Sequence, residues 1–259
     1  MRIATWNVNS VTARLGVVEQ WLKVAAPDVV CLQELKCEDA KFPRQQIEDL
    51  GYNVQTHGQK TYNGVAILSK LPIDDTIRGL PGGEGDEQSR YIECVIGGAK
   101  PFRIASIYLP NGNPLGTEKF TYKLDWFARL QAHAKELLKL EEPTILAGDY
   151  NVIPRPEDCE NPAAWANDAL YQPESRGAWR ALLNLGFTDA YMALDGRAHQ
   201  YTFWDYQAGA WPKNNGIRID HMALSPLAAE RLRAINIDRE PRGWEKPSDH
   251  TPLVGEFDF

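Results

Sequence analysis

The hydrophobic positions of the chain switch between the two-residue period of strands and the 3.6-residue period of helices. Residues 2–8 alternate as a strand, and residues 14–25 follow with helical spacing until Pro27 ends the pattern. Residues 28–32 form a second short apolar strand. A strand, a helix and a strand in this order predict a parallel pair. The positions that share one face of the helix are Leu15, Val18, Trp21, Leu22 and Ala25.

The middle of the chain is richer in strand patterns. After a short predicted helix at 43–50, apolar segments typical of strands occupy residues 52–56, 64–69, 75–78, 90–96 and 102–109. Mostly short turns join these segments, which predicts antiparallel pairing of neighbours. The longest helical pattern, residues 118–140, leads into an apolar strand that begins at Thr144.

The second half repeats the alternation of helix and strand patterns. Its predicted helices cover residues 176–185 and 227–232, and its predicted strands cover residues 187–190, 201–204, 217–224, 234–238 and 252–259. Two halves that each combine strands with helices predict an α/β fold, a four-layer sandwich of two mixed β-sheets packed face to face with helices outside. The Pro/Gly-rich run at 80–85 is short enough for a loop, so we expect one domain, residues 1–259.

Composition and charge narrow the class of protein. The hydrophobic content of 43% supports a large core, and no leader or membrane-length apolar run is recognisable. The four cysteines lack zinc spacing, so we expect a cytoplasmic protein with no membrane partner. The formal charge of -7 opposes binding to a phosphate backbone at face value. Carboxylates around a divalent metal lower the net charge without making the binding face acidic, so charge leaves the substrate open.

Polar residues that are capable of metal or phosphate chemistry recur where predicted strands end. The apolar strand from Thr144 stops at a glycine and then presents Asp149 and Asn151, whose side chains would point the same way on an extended backbone. Each such residue alone is explained at least as well as a turn residue or a cap. Their recurrence at one topological place favours a functional site. The other members of the pattern are Asn7, Glu34, Tyr108, Asp220, Asp249 and His250.

The residue types indicate metal-assisted hydrolysis of a phosphate ester. Mg²⁺ prefers oxygen ligands and is usually held by one or two carboxylates, which Glu34, Asn7 and Asp249 can supply. An imidazole and an unliganded carboxylate could orient a water and stabilise charge on phosphoryl oxygens. No serine elbow and no P-loop occur, which argues against a covalent serine mechanism and nucleotide-triphosphate binding.

These motifs resemble bacterial exonuclease III, the abasic-site endonuclease branch of the endonuclease/exonuclease/phosphatase superfamily. They occur in family order from residue 6 to residue 250, so the resemblance covers nearly the whole chain. The motifs are Trp6-Asn7-Val8-Asn9, Leu32-Gln33-Glu34-Leu35-Lys36, Gly58-Gln59-Lys60 through Gly64-Val65-Ala66, Gly148-Asp149-Tyr150-Asn151, Tyr201-Thr202-Phe203-Trp204-Asp205-Tyr206, Ile217-Arg218-Ile219-Asp220 and Lys246-Pro247-Ser248-Asp249-His250.

The resemblance implies a metal site and a set of catalytic groups. Glu34 would bind Mg²⁺, with Mn²⁺ as a substitute, and Asn7 and Asp249 would lie close to the metal. His250 would be hydrogen-bonded to Asp220 and contact the scissile phosphate. The remaining implied groups are Asp149, which orients or deprotonates the attacking water, Asn151, which positions that carboxylate and the phosphate, and Tyr108, a proton donor or charge stabiliser.

The resemblance also implies a DNA-binding surface. Asn111 would contact the phosphate, and an apolar wall of Phe203, Ile217 and Ile219 would accept a flipped-out sugar that lacks its base. Extruding a nucleotide costs a few kcal/mol, least where the base is missing. The cations near motif loops that would follow the DNA backbone are Lys36, Lys60, Arg90, Arg155, Lys213 and Lys246.

The function implied is a monomeric Mg²⁺-dependent DNA-repair phosphodiesterase that acts on double-stranded DNA. It would incise 5′ to abasic sites and process recessed or blocked 3′ ends as an exonuclease and phosphatase. Thr12 and Asn113 stand where some family members carry arginines, and Leu170 or Tyr171 could narrow the sugar pocket. Three alternatives therefore stay open: a 3′-exonuclease/3′-phosphatase with little abasic incision, a phosphatase of phosphoinositides or sphingolipids, and a catalytically silent DNA-binding module.

Overall fold

The computed structural model describes residues 1–259 as twelve strands and six α-helices. The strands are β1 (Arg2–Asn7), β2 (Val29–Gln33), β3 (Asn53–His57), β4 (Val65–Ser69), β5 (Ile73–Arg78), β6 (Tyr91–Ile96), β7 (Phe102–Tyr108), β8 (Thr144–Asp149), β9 (Thr188–Asp189), β10 (Asp220–Leu224), β11 (Leu232–Ile237) and β12 (Leu253–Phe257). The helices are α1 (Leu15–Ala25), α2 (Arg44–Glu48), α3 (Glu118–Leu138), α4 (Pro173–Asn184), α5 (Ala190–Leu194) and α6 (Pro226–Ala229). No helix combines the length and the apolar character that crossing a membrane requires.

The strands form two six-stranded mixed sheets. The first has the order β11-β12-β1-β2-β4-β3 and the second the order β5-β6-β7-β8-β10-β9. The pairs β1–β2 and β7–β8 are parallel, as the strand–helix–strand patterns predict, and their connections contain α1 and α3. The predicted α/β sandwich of two mixed sheets is confirmed.

Three hydrophobic clusters explain the four layers. The central cluster joins both sheets, with Ile3 and Ile67 from the first and Ile104 and Ile145 from the second, all fully buried. Because side chains alternate along a strand, each sheet also buries its outer face. The first sheet packs there against α1 and α2 through residues such as Trp21, Leu22 and Ile47, and the second against α3 and α4 through Trp126, Phe127, Trp179 and Leu182.

The assignment of strands to sheets differs from the sequence prediction at the turn between β4 and β5. Residues 69 and 73 are close in sequence, yet β4 lies in the first sheet and β5 in the second. The prediction of antiparallel pairing is wrong there, because a short turn can also carry the chain from one sheet to the other. The sheets are not the two halves of the chain either, since the first sheet takes the first four strands and the last two.

Four predicted elements of the second half are shorter than expected or absent. Residues 201–204 and 217–219 form no strand, because Phe203 makes only single bridges to Ile217 and to His250. The predicted helix at 227–232 ends at Ala229, and Leu232 already belongs to β11. The predicted strand at 187–190 keeps two residues, since the Asp189 side chain accepts hydrogen bonds from the amides of Tyr191 and Met192 and caps α5.

The ends of four central strands and the start of a fifth meet at one rim of the sandwich. Asn7 lies opposite Gln33 in the β1–β2 register, and Asp149 lies between Tyr108 on β7 and Asp220 on β10. Gly148 permits the tight approach of β7 and β8, because a Cβ atom there would lie 2.0 Å from the carbonyl oxygen of Ile107. The fold thus places the polar strand-end residues side by side.

Candidate active site

Asn7 joins the two sheets at this rim. Its Nδ2 donates to Glu34 Oε1 at 2.8 Å and to Asp149 Oδ2 at 2.9 Å. Its own Oδ1 accepts the amide N–H of Asn9 at 3.0 Å, which fixes the orientation of the side chain. One fully buried amide therefore holds a carboxylate of each sheet within hydrogen-bonding distance.

His250 lies between two carboxylates. Its Nδ1 is 2.8 Å from Asp220 Oδ2, and its Nε2 is 3.7 Å from Asp149 Oδ2. Burial alone would lower the pKa of His250, but the charges of Asp220 and Asp149 outweigh it and raise the pKa well above the usual value. Burial raises the pKa of Asp149, and the His250 charge offsets part of that rise. We call Asn7, Glu34, Asp149, Asp220 and His250 the rim cluster.

Glu34 stands just beyond β2 and is bound by a lysine. Lys36 Nζ lies 2.9 Å from Glu34 Oε2 and donates to Asn9 Oδ1 at 2.6 Å. Asn9 Nδ2 in turn donates to Asp249 Oδ1 at 3.1 Å, so Asp249 is connected to Glu34 through Asn9 and Lys36. Burial opposes ionisation of Glu34, but the Lys36 charge and the Asn7 hydrogen bond keep its pKa below the usual value.

The backbone next to the rim cluster adopts an uncommon conformation. Asn9, Glu34, Lys36 and Asn151 all have positive φ angles, at 45°, 54°, 54° and 47°. Non-glycine residues are rarely found there, and such conformations persist only where the surroundings enforce them. The amide of Ser10, for example, donates to the carbonyl of Glu34 at 2.7 Å. These turns aim side chains at the rim that a continued strand would direct elsewhere.

Asn151 differs from the extended geometry that the sequence predicts. β8 ends at Asp149, and the amide of Asn151 folds back to donate to Asp149 Oδ1 at 2.9 Å, a local turn that aspartate favours. The side chain of Asn151 instead donates to the carbonyl of Leu109 at 2.9 Å and accepts from Asn111 Nδ2 at 3.2 Å. Asn151 and Asn111 are thereby joined beside the end of β7.

Tyr108 and Arg90 complete this side of the rim. Burial, followed by the charges of Glu34 and Asp149, raises the pKa of Tyr108 well above its usual value, so the phenol stays protonated. The Arg90 guanidinium lies 4.8 Å from the centre of the Tyr108 ring, and its Nη1 donates to the Tyr108 carbonyl at 3.2 Å. The phenol is thus a hydrogen-bond donor within a site of carboxylates.

The apolar residues near the site are mostly covered. Phe203 packs edge-on against His250 with 5.0 Å between ring centres. Ile217 and Ile219 are only 1% and 2% exposed and share a small cluster with Ile153, Cys159 and Leu170. A cavity of about 440 Å³ opens between Phe203, Ile217 and the segment around Trp165.

Comparison with known proteins decides the family. A profile of the Endonuclease/Exonuclease/phosphatase family matches residues 4–250. The chain belongs to this family. Exodeoxyribonuclease III of Haemophilus influenzae is 33% identical over 99% of this chain and 100% of that protein. The exodeoxyribonuclease of Bacillus subtilis is 31% identical and covers 98% of both chains.

Solved structures agree with this placement in the endonuclease/exonuclease/phosphatase family. An AP endonuclease from Archaeoglobus fulgidus superposes with a TM-score of 0.95 at 38% identity, over 100% of both chains. A 3′ phosphatase from Neisseria, determined with a product DNA hairpin, superposes with a TM-score of 0.96 at 37% identity, again over 100% of both chains. The chain is therefore similar along its whole length both to an AP endonuclease and to a 3′ phosphatase.

The rim cluster of this endonuclease/exonuclease/phosphatase protein fits a divalent cation. Ligand atoms of Glu34, Asp149 and His250 all lie within 4.8 Å of one another. The donor set is rich in carboxylate oxygen, which hard cations prefer, and contains no thiolate. The imidazole of His250 is already engaged by Asp220, and Asn7 turns its Nδ2 group towards the two carboxylates, which leaves the carboxylate oxygens as the better ligands.

Three residues near the site carry interactions that sequence reasoning did not assign. Asn9 belongs to the first motif, and its place two residues after Asn7 was a usable signal. Lys123 falls among the apolar positions of α3, and a lysine there is a signal only once its burial is known. Arg218 alternates with Ile217 and Ile219, which is typical of a charged residue on the exposed face of a strand, yet it is fully buried.

Arg218 anchors the segment that follows β8. Its guanidinium donates to both oxygens of Asp158 at 3.0 and 3.2 Å and to Asp189 Oδ2 at 3.2 Å. His221 completes this group, with Nδ1 3.0 Å from Arg218 Nη1 and Nε2 2.9 Å from the carbonyl oxygen of Val152. We call Asp158, Asp189, Arg218 and His221 the ion-pair cluster.

Proposed function

We propose that the protein is a Mg²⁺-dependent DNA-repair phosphodiesterase that incises DNA 5′ to abasic sites and processes 3′ ends as an exonuclease and phosphatase. The observation that carries this proposal is the pair of hydrogen bonds by which Asn7 holds Glu34 and Asp149 together beside His250. The proposal includes a monomer in the cytoplasm with one catalytic domain over residues 1–259.

The catalytic roles follow from the charge of each group. Asp149 is the acceptor that orients or deprotonates the attacking water, since burial raises its pKa towards the range where a general base is effective. His250, kept protonated by Asp220, stabilises negative charge on the phosphoryl oxygens. Tyr108, Asn111 and Asn151 supply hydrogen-bond donors to the scissile phosphate.

Glu34 would hold Mg²⁺ or, as a substitute, Mn²⁺, and Asn7 and Asp249 would lie close to the metal. When bound, the cation neutralises charge on the phosphate and on the leaving oxygen. Lys36 keeps Glu34 ionised. We expect EDTA to abolish cleavage, and unchanged cleavage in EDTA would contradict the metal assignment.

The DNA contacts proposed are Lys36 and Arg90 for the backbone, and Phe203, Ile217 and Ile219 for the sugar. A second candidate function is supported by Leu170, which packs against Ile217 and Ile219 and is itself only 4% exposed. If Leu170 occupies the space of a flipped-out sugar, the protein processes 3′ ends with little abasic incision. A phosphoinositide or sphingolipid phosphatase is disfavoured, because the full-length relatives are named as nucleases. The intact rim cluster likewise argues against a silent DNA-binding module.

One experiment separates the two substrate preferences. The purified protein and Mg²⁺ are incubated with a duplex that carries a tetrahydrofuran abasic analogue and with a duplex that carries a recessed 3′-phosphate. Incision of the first duplex supports the abasic endonuclease, whereas phosphate release without incision supports the 3′-end enzyme. Failure to cleave either duplex would contradict the proposed function.

Leu170→Ala tests the cause of the preference. If Leu170 closes the sugar pocket, the variant gains incision at the analogue while its 3′-phosphate release changes little. Leu183→Ala is the control and should leave both activities unchanged, because it removes a half-buried leucine of α4 that packs against the outer cluster of the second sheet.

A further inference from the structure

Lys123 is a fully buried lysine at the N-terminal end of the buried face of α3. Lysine is almost never fully buried unless its charge is paired. Here no carboxylate binds it. Its Nζ donates instead to three backbone carbonyls, of Asn151 at 2.6 Å and of Pro110 and Asn111 at 3.1 Å each. The three N–H groups of an ammonium are thus matched by three acceptors.

The loop around Lys123 is shaped to receive the side chain. Gly112 has a φ of +89°, and a Cβ atom at that position would lie 2.6 Å from Lys123 Cδ. Glycine therefore provides both the left-handed turn and the space through which the lysine passes. Burial lowers the pKa of Lys123, and the charges of Asp149 and Asp168 oppose that change. The three carbonyl acceptors match the protonated ammonium, since a neutral amine has only two N–H groups.

The two segments that Lys123 binds carry the asparagines assigned to the phosphate. Residues 110–111 follow β7, and Asn151 follows β8, so the lysine ties together the ends of two neighbouring parallel strands. Three carbonyl oxygens that converge on one point repel one another, and a cation between them removes that repulsion. A methionine would fill the same volume but leave the carbonyls unpaired in an apolar site, which is costly.

We propose that Lys123 is a positioning residue for phosphodiester cleavage, whose ammonium fixes Asn111 and Asn151 relative to each other by holding their backbones. Lys123 itself contacts no substrate. The proposal rests on the proposed function for its kinetic consequence, but the geometric part can be tested without catalysis. The side chains of Asn111 and Asn151 are 3.2 Å apart at their hydrogen bond, and that pairing depends on the backbone positions that Lys123 sets.

Lys123→Met is the test variant and Arg103→Met its matched control. Arg103 is also a mostly buried cation and pairs with the buried Glu93, but it lies at the opposite end of β7 from Tyr108. Both substitutions lower stability, and only the first removes a group that holds the site. The measurements are single-turnover cleavage of whichever duplex the wild type cleaves, DNA affinity in EDTA, and hydrogen exchange in peptides covering residues 109–115 and 149–155.

For Lys123→Met we expect cleavage about 10- to 100-fold slower, because displacements of about 1 Å have effects of that size. DNA affinity in EDTA should change less than about twofold. Hydrogen exchange should accelerate in both peptides, whereas Arg103→Met should leave cleavage and these peptides unchanged. The double variant Lys123→Met/Asn151→Ala should lose no more cleavage rate than the more impaired of the two single variants, since both substitutions act through Asn151.

Equal cleavage rates in the two variants, or equal hydrogen exchange in the two peptides, would overturn the proposal. Additive losses in the double variant would also overturn it, because they would mean that Lys123 acts only through general stability. If Lys123→Met does not fold, Lys123→Gln replaces it, because glutamine keeps an N–H donor on a side chain too short to reach all three carbonyls. We expect this variant to show smaller changes in cleavage and hydrogen exchange in the same direction. A wild-type protein that cleaves nothing would disprove the proposed function, and hydrogen exchange would still decide whether Lys123 holds the two loops.

Discussion

The rim cluster and the ion-pair cluster both combine buried aspartates with a histidine, but they differ in the cations that accompany them. In the ion-pair cluster, Arg218 binds Asp158 and Asp189, and Arg155 adds a second cation at 3.0 Å from Asp158. In the rim cluster, three carboxylates share His250 and the half-buried Lys36. One oxygen of Asp220 is buried there without any hydrogen-bond partner.

The difference lies in charge compensation. Buried ions that are fully paired hold a structure in place, and breaking one pair exposes the full cost of an isolated charge. Buried carboxylates with too few partners create a negative potential that attracts a cation and shifts pKa values, which is the usual signature of a reacting site. Substitutions in the two clusters should therefore have opposite effects on activity and stability.

Asp149→Asn should have the largest effect, a loss of cleavage of about 10³-fold, because general acid–base groups contribute roughly 10²- to 10⁴-fold. The free energy of unfolding should change by less than about 1 kcal/mol, since the substitution removes a poorly compensated buried charge. Single-turnover cleavage and urea denaturation measure the two quantities. Asp158→Asn is the counterpart and should lower stability while cleavage persists. Retention of wild-type cleavage by Asp149→Asn would remove Asp149 from the mechanism.

Arg218→Met should lower the free energy of unfolding by about 3–5 kcal/mol, because it leaves Asp158 and Asp189 as unpaired buried carboxylates. Urea denaturation at pH 7 measures the loss, and cleavage should be assayed well below the new melting temperature. A loss of unfolding free energy below about 1 kcal/mol is typical of an exposed ion pair. That result would show that the two clusters do not differ in charge compensation.

His221→Gln should show the smallest effect, as a change in pH dependence. Burial, followed by the Arg218 charge, lowers the pKa of His221 to about 4 in the folded protein. The unfolded chain takes up this proton near pH 6.5, so stability from His221 is lost as the pH falls from about 6.5 to about 4. The stability difference between wild type and variant should therefore shrink by about 2 kcal/mol between pH 7 and pH 5. A difference that is independent of pH would mean that His221 is not held neutral.

Local sequence patterns contain enough information for most elements and for the strand-end residues. Asn7, Glu34 and Asp149 follow short apolar strands, and the period of those strands is visible without any knowledge of their partners. The parallel pairs could be predicted as well, because α1 and α3 lie between their strands. The assignment of strands to sheets could not be predicted. The short turn between β4 and β5 indicates that they are neighbours in one sheet, but they belong to different sheets.

The residues that sequence reasoning missed take their roles from distant partners. Lys123 and Arg218 become informative only when residues 110–111, 151, 158 and 189 are brought to them. The sequence predicts an extended backbone at Asn151. The structure has a turn there, which depends on a hydrogen bond from the Asn151 amide to the Asp149 side chain. The hydrophobic period of a segment indicates which of its residues are buried, but it does not indicate hydrogen bonds between a side chain and the backbone or between distant residues.

The position of β12 has a consequence for biosynthesis. This strand, Leu253–Phe257, lies between β1 and β11, although β1 is made long before β12. Until translation passes residue 257, β1 presents one unpaired edge, and unpaired edges readily pair with other chains. His250 also joins Asn7 only at this stage, since the loop that carries it leads directly into β12. A nascent chain therefore closes this edge of β1 and completes its rim cluster in the same step.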